Sequence, residues 1–340
     1  IPLRLVGSEM CIRDRVGVLS STLFGGVSGS AVADASAIGS LLIPWHKRLG
    51  YPPAFSAATL AAAATIDILI PPSIPMILFA LTANASIAAL FVAGILPGIL
   101  MCVGFMFMCW WVGKRRNFPR DTTPINWSEF RVHLLYSSPA LLLPVLIVLF
   151  LRFGIATPTE VAVLSTLYAA AVSVVVYRDL SLKRLNDAVV HAGLATGVVL
   201  LVIMASAAIG WLLTYDQMPT GVAHWIQQNV SQGWIVILIM NLLMLFIGMF
   251  IDLPAAVLLL TPVFLPLAES IGMDPVQLGI MMVVNLAVGL YTPPVGTTLF
   301  ITSALAKVKV GQTVRELGPF YFVAFLVLAL VSYVPASILR

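Results

Sequence analysis

Charge is the scarcest thing in this sequence. Asp, Glu, Lys and Arg together make up 9% of its 340 residues, against 60% hydrophobic residues, and the mean hydropathy is +1.05. Soluble domains carry about a quarter charged residues. That shortage excludes a soluble globular protein and points to an all-α polytopic membrane protein with several apolar spans. Cysteine is scarce too. Cys11, Cys102 and Cys109 give neither a disulfide framework nor metal spacing. No Lys or Arg lies well inside an apolar segment. The four histidines, His46, His133, His191 and His224, fall in loops or at segment ends. No G-x-x-x-x-G-K-[ST] run is present, which excludes a P-loop ATP site in this chain. The net charge of +4 comes from short basic clusters between apolar segments, the distribution of membrane topology and not of nucleic-acid binding.

What is present is a series of apolar segments of about 20 residues or more. They run over 16–43, 54–83, 86–112, 134–151, 155–177, 193–214, 233–268, 276–305 and 318–338. Residues 178–192 read as an amphipathic surface segment between two of them. Thr157, Pro158 and Glu160 fit the N-cap, N1 and N3 positions of a capping box, so Glu160 reads as a helix start and not a catalytic acid. The clusters at 46–48, 114–116, 178–184 and 307–315 are basic, whereas 215–232 and 269–275 have acids and no Lys or Arg. All the basic clusters fall on the cytoplasmic side only if 233–268 enters and returns without crossing, as a re-entrant hairpin opening outward.

A shift of 222 residues places Pro44, Pro53, Pro71, Pro72 and Pro97 on Pro266, Pro275, Pro293, Pro294 and Pro319, and Gly50 on Gly272. The repeated unit is a re-entrant hairpin, a span broken at a Pro-Pro pair, and a further span. Five crossings separate the copies, which makes them inverted repeats, an architecture of secondary transporters. The expected organisation is repeat 1 over 16–112, scaffold spans with a linking amphipathic segment over 113–232, and repeat 2 over 233–340. Residues 1–15 hold five charges and resemble a translated sequencing adaptor, so they are set aside as a non-native N-terminus. Copy two has spans at 155–177 and 193–214 ahead of its hairpin and copy one has none, so the chain reads as N-terminally incomplete.

The chemistry concentrates at the hairpin tips and the breaks. "GGVSGSAVADAS" (25–36) and "GMFIDLP" (248–254) are the tips; "IPPSIP" (70–75) and "TPPVG" (292–296) are the breaks. Gly lets backbones approach closely, Ser supplies hydroxyl oxygen, and Pro frees carbonyls of the preceding turn. Uncharged oxygens of this kind suit Na⁺, and half-helix N-termini at the same breaks favour an anion. Three carboxylates, Asp34, Asp67 and Asp252, lie inside apolar segments, where such groups face a cavity or take a proton or cation. "GVSG" (26–29) fits an intramembrane serine protease pattern, but no histidine lies at depth to activate Ser28. Another inverted-repeat anion transporter or a channel is the alternative, and inverted hairpins favour alternating access over a channel.

In "GGVSGSAVADASAIGSLLIP", "IPPSIP", "GIATPTE", "LTPVFLP" and "GMDPVQLGIMMVVNLAVGLYTPPVG", in that order, the chain resembles the large membrane subunit of tripartite ATP-independent periplasmic (TRAP) transporters. The resemblance covers about Val16 to Arg340. It implies an elevator-type, Na⁺-coupled importer of small organic acid anions, such as dicarboxylates or sugar acids, in the bacterial inner membrane. It also implies a small membrane subunit and a periplasmic solute-binding protein as partners, Na⁺ as coupling ion and no other cofactor. By motif, one Na⁺ site would use Ser28 with the backbone at Asp67, Ile70 and Pro72, and the other Gly248, Gly289, Thr292 and Val295. Substrate-binding candidates are Ser30, Ser73, Asp252, Thr297 and Thr298. The chain departs from the family once: "TIDILIPPS" stands where the family usually reads "TIGPIIPPS", so Asp67 occupies a Gly position and Ile68 a Pro position.

Overall fold

Helices stop where the sequence places its proline pairs and glycine-rich tips. The computed structural model describes residues 12–116, 118, 127–216, 221 and 232–335, and among them every regular element is helical. Repeat 1 comprises α1 (Ile12–Ser28), α2 (Ala31–Arg48), α3 (Pro53–Ala63) with a 3-10 turn (Ala64–Ile66), α4 (Ile74–Ala83) and α5 (Ile87–Arg116). Then come α6 (Trp127–Arg152), α7 (Pro158–Val175) and α8 (Leu182–Tyr215). Repeat 2 comprises α9 (Gly233–Gly248), α10 (Leu253–Ser270), α11 (Pro275–Gly289), α12 (Thr297–Ala306), α13 (Val310–Glu316) and α14 (Gly318–Tyr333).

Three boundaries differ from those expected. Helix α1 begins at Ile12, inside the stretch that was set aside, while residues 1–11 lie outside the described residues. The segment 178–192 does not form a separate surface element. From Leu182 it is the first part of α8, because Ser181 accepts from Arg184 N (3.3 Å) as an N-cap and no breaker follows until Gly193. The basic triplet 114–116 forms the last turn of α5, where positive side chains complement the helix dipole. Thr157, Pro158 and Glu160 form the expected capping box: Glu160 Oε2 accepts from Thr157 N at 2.7 Å. The loop 215–232 lies almost wholly outside the described residues.

Both hairpins return to the end they start from. A Cβ at Gly233, the first residue of α9, would lie 3.8 Å from the side chain of Ile271, just past α10, and one at Gly17 would lie 4.0 Å from His46 near the end of α2. The repeat extends to individual hydrogen bonds. Leu49, Gly50 and Tyr51 donate to His46 O, Lys47 O and His46 O; Ile271, Gly272 and Met273 donate to Ala268 O, Glu269 O and Ala268 O, each 222 residues later. Gly50 and Gly272 both hold left-handed backbone, with φ of 79° and 75°. The Pro71–Pro72 and Pro293–Pro294 peptides are both cis.

The copies interlock. The second arm of each hairpin packs on the other copy's post-break helix, α2 on α12 and α10 on α4. The pre-break helices do the same, α3 on α12 and α11 on α4. Thr298 donates its hydroxyl to Ala61 O (3.2 Å) and to Leu290 O (2.9 Å), tying α12 to both breaks' flanking helices. Lys47 donates to Ala306 O at 2.9 Å, and Arg116 pairs with Glu316 at 2.6 Å. Three of the four basic clusters therefore meet at one end of the molecule. At the other end of α14, Gln277 donates to Val331 O, Ser332 O and Val334 O, and Tyr333 donates to Trp234 O.

Candidate functional site

Each hairpin tip meets the break of its own copy by backbone-to-backbone approach. In copy one, Gly29 has φ +64°, and a Cβ there would lie 2.3 Å from Pro72 O. Asp67, at the Gly position, closes the same junction. Its Oδ1 accepts from Gly29 N at 3.2 Å and its Oδ2 from Ser30 N at 3.1 Å. Ser30 N sits between α1 and α2, where helical pairing is interrupted, so the carboxylate satisfies a donor that the tip would otherwise leave open, while it shares Gly29 N with Gly25 O (3.3 Å). Ser28 Oγ lies beside Asp67 and contacts Ser30 O at 3.5 Å. Asp67 is wholly buried. Ser28, Asp67 and Pro72 thus come together at this junction; Ile70, expected to contribute through its backbone, turns its side chain to Gly98 of α5.

In copy two, a Cβ at Gly289 would lie 2.4 Å from Gly248 O, and Val295 N donates to Met249 O at 3.2 Å. Thr292 closes the turn: its N donates to Gly289 O (3.0 Å) and its hydroxyl to Val288 O (2.6 Å). Gly248, Gly289, Thr292 and Val295 therefore come together as expected. The sequence reading missed Tyr321. Its hydroxyl donates to Tyr291 O at 3.0 Å from α14, bracing the break from outside the repeat's hairpin. Nothing in the local pattern singles it out, since its 222-shift partner is Ile99.

Between the tips lies one cleft of about 70 Å³. It is lined by the first turns of three half-helices: Ser30, Ala31 and Val32 of α2, Ile74 and Pro75 of α4, and Asp252, Leu253 and Pro254 of α10. Ser30 and Asp252 occupy equivalent positions, 222 residues apart, and both are N-caps. Asp252 lines the cleft and makes no side-chain cap hydrogen bond of the kind Ser30 makes to Ala33 N. A smaller cleft continues past Asp252 to Gly296 and Thr297 at the start of α12. The Thr297 hydroxyl is buried without a hydrogen-bond partner among the described residues. Two substrate candidates fall elsewhere. Ser73 caps α4, donating to Ile68 O (2.5 Å) and accepting from Met76 N (3.4 Å), and it is wholly buried. Thr298 is spent on the two carbonyl bonds described above. Neither lines either of these two clefts.

His46 and His133 lie at segment ends, as expected, whereas His191 lies inside the apolar helix α8. His46 is buried in the last turn of α2, hydrogen-bonded to Ser56 of α3. His133 lies in α6 and His191 in α8, and His224 is outside the described residues. The polar neighbours of Ser28 are Ser30 and Asp67, not an imidazole base.

Residues 3–337 match the family described as tripartite ATP-independent periplasmic transporter, DctM component. Among curated relatives, the chain is 59% identical over 319 residues to an uncharacterized protein of Sinorhizobium fredii, covering 94% of this chain and 76% of that one. It is 35% identical over 342 residues to the 2,3-diketo-L-gulonate TRAP transporter large permease of Escherichia coli, covering 100% and 80%. It is 36% identical over 319 residues to the C4-dicarboxylate TRAP transporter large permease of Pseudomonas aeruginosa, covering 94% and 74%. The latter two are transporter permease components and not enzymes. With hairpins, breaks and family match in agreement, the chain belongs to the DctM family, the large membrane subunits of tripartite ATP-independent periplasmic transporters.

Proposed function

We propose that this permease imports a small organic acid anion by Na⁺ symport, with the two tip–break junctions as cation sites and the cleft between them as the substrate site. Organic acid import with a solute-binding protein is the work of the family; the ion and the site are the proposal. The observation that supports it best is the convergence of three half-helix N-termini, those of α2, α4 and α10, on one cleft. Unpaired N–H groups and the positive dipole ends favour an anionic group there. Asp252 in the same cleft is an acceptor, so the substrate presents a hydroxyl or ammonium donor beside its carboxylate. This favours hydroxylated acids, such as sugar acids, over unsubstituted dicarboxylates.

At about 70 Å³ the cleft is smaller than the roughly 300 Å³ or more of ordinary small-molecule sites. Substrate entry therefore requires the tips to part, with the interlocked hairpins and post-break helices moving as one elevator body against the remaining spans. A small membrane subunit would cover part of the exposed apolar surface of α6–α8, and a periplasmic solute-binding protein would deliver the anion. The test is uptake by the complete transporter in proteoliposomes. Import should require an inward Na⁺ gradient and be indifferent to ATP. Thr292→Ala should weaken Na⁺ dependence by roughly 5- to 150-fold, the equivalent of about 1–3 kcal/mol for a lost buried ligand. Equal uptake in choline or potassium medium would overturn the Na⁺ assignment.

A further inference from the structure

We propose that Asp34 is a proton-binding site of this permease, distinct from both tip–break cation sites and from the substrate cleft. It goes beyond the Na⁺-symport reading and needs only that the protein transports.

Asp34 sits in the first turn of α2 and is wholly buried. Neither of its carboxyl oxygens has a hydrogen-bond partner among the described residues. Across from it on α1, Ser21 is also wholly buried, and its hydroxyl is likewise without a partner. The Ser21 hydroxyl is the side-chain hydrogen-bonding group nearest the Asp34 carboxyl, and the Asp67 carboxylate acts on it through charge. Asp34 lines neither cleft. The contrast with Asp67 is direct: two buried carboxylates flank one tip, one holding two backbone amides and the other holding none.

A carboxylate in that position cannot remain ionised and unaccompanied at such depth. The elements packed on α2 are α1, α3 with its 3-10 turn, and α12. Neither α3 nor α12 has a charged residue, and Asp67 follows the 3-10 turn. On α1 the charges Arg13, Asp14 and Arg15 lie at the far end from the tip, and on α2 His46, Lys47 and Arg48 lie three turns away. Among the described residues, the elements packed on α2 therefore supply no cation to Asp34, and Asp67 opposes a second negative charge. A metal ion fits poorly: one carboxyl and one hydroxyl fall short of a hard-cation shell, and no group of three His, Cys, Asp or Glu side chains converges among the described residues. A proton solves both problems, because a neutral carboxyl donates where Ser21 Oγ accepts. The 222-shift partners of Asp34 and Ser21 are Ala256 and Leu243. Copy two builds the same hairpin without this pair, so the pair is not required by the architecture.

The experiment measures uptake against pH in proteoliposomes of the complete transporter, at saturating Na⁺ and clamped membrane potential. Wild-type uptake should fall by up to about tenfold per pH unit above the midpoint, as expected for one titrating group. Asp34→Asn, neutral at all pH, should flatten that profile and leave the Na⁺ half-saturation unchanged. A pH-independent wild type, or an Asp34→Asn profile that still follows the wild type, overturns the proposal. Loss of Na⁺ dependence in Asp34→Asn also overturns it, since Asp34 would then be a cation ligand. If that variant does not fold, Ser21→Ala must displace the midpoint, and an unmoved midpoint counts against the site. Uptake without any Na⁺ dependence in wild type removes the symport reading, while the pH profile still reports on Asp34.

Discussion

At the scale of single residues, Asp67 decides how the first tip is held. The sequence shows a carboxylate at a Gly position and suggests added charge at a cation site. The structure gives that carboxylate a second task, because both oxygens accept from tip amides, Gly29 N and Ser30 N. A hydrogen bond to a charged group contributes about 1.5–3 kcal/mol. Asp67→Asn keeps one acceptor and turns an NH₂ toward a donor. Asp67→Gly restores the family residue and removes both bonds. Local opening of the tip should rise roughly 10- to 150-fold, the equivalent of one such bond. Hydrogen exchange at Gly29 and Ser30 reads this directly, and Na⁺ half-saturation should rise in parallel in both variants. If the two amides exchange as slowly in Asp67→Gly as in wild type, the clamp is not what orders the tip. None of this was legible in advance, because a bond between residues 38 apart depends on how the hairpin folds onto the break and not on spacing.

At the scale of elements, the hairpins and breaks were legible and their partners were not. Proline fixes where a helix must end, so Pro71–Pro72 and Pro293–Pro294 mark both breaks in the sequence itself. The 222-residue shift then extends them to whole copies. Which helix each arm packs against leaves no such mark: α2 on α12 and α10 on α4 is an exchange between copies that apolar sequence of uniform composition cannot encode locally. The same uniformity hid the start of α8, since an amphipathic stretch followed by an apolar one reads as two elements until a breaker is sought and not found. The glycines at the junctions were legible as close approaches, and the structure supplies the clearance. At Gly289 a Cβ would lie 2.4 Å from Gly248 O, a backbone atom that cannot rotate away. Gly289→Ala should therefore push tip and break apart, costing about 1–3 kcal/mol as overpacking does, and should abolish Na⁺-dependent uptake. Gly311→Ala, in α13 with nothing within 4 Å, is the matched control, neutral or stabilising by up to about 1 kcal/mol. Thermal unfolding of the purified variants separates the two. Equal unfolding temperatures and equal uptake would mean that the junction has slack.

At the scale of the whole molecule, charge and geometry assign the two membrane faces. Lys47 reaches Ala306, and Arg116 reaches Glu316, so the basic clusters of both copies share one end. Helix α14 begins two residues after Glu316 and runs 16 residues, about 24 Å at 1.5 Å per residue. Its far end binds Gln277 and lies against Trp234, beside the 269–275 loop that has acids and no Lys or Arg. By the positive-inside rule we propose that the first end faces the cytoplasm and the second the periplasm. On that assignment the hairpin α9–α10 would enter and leave on the periplasmic side, and α1–α2 on the cytoplasmic side, and the copies would be inverted. Single cysteines test this. Gly311 lies at the basic end and Gly272 at the acidic end; both have open space around the Cα. Gly272 has φ +75°, so its cysteine variant needs a check of expression. Cys102 and Cys109 are buried and contribute little background labelling; Cys11 is replaced by Ser. In intact cells with an opened outer membrane, an impermeant maleimide should label position 272 and spare position 311, and inside-out vesicles should show the reverse. Labelling of both positions from one side would place the two hairpins in the same orientation and remove the inverted-repeat topology on which alternating access depends.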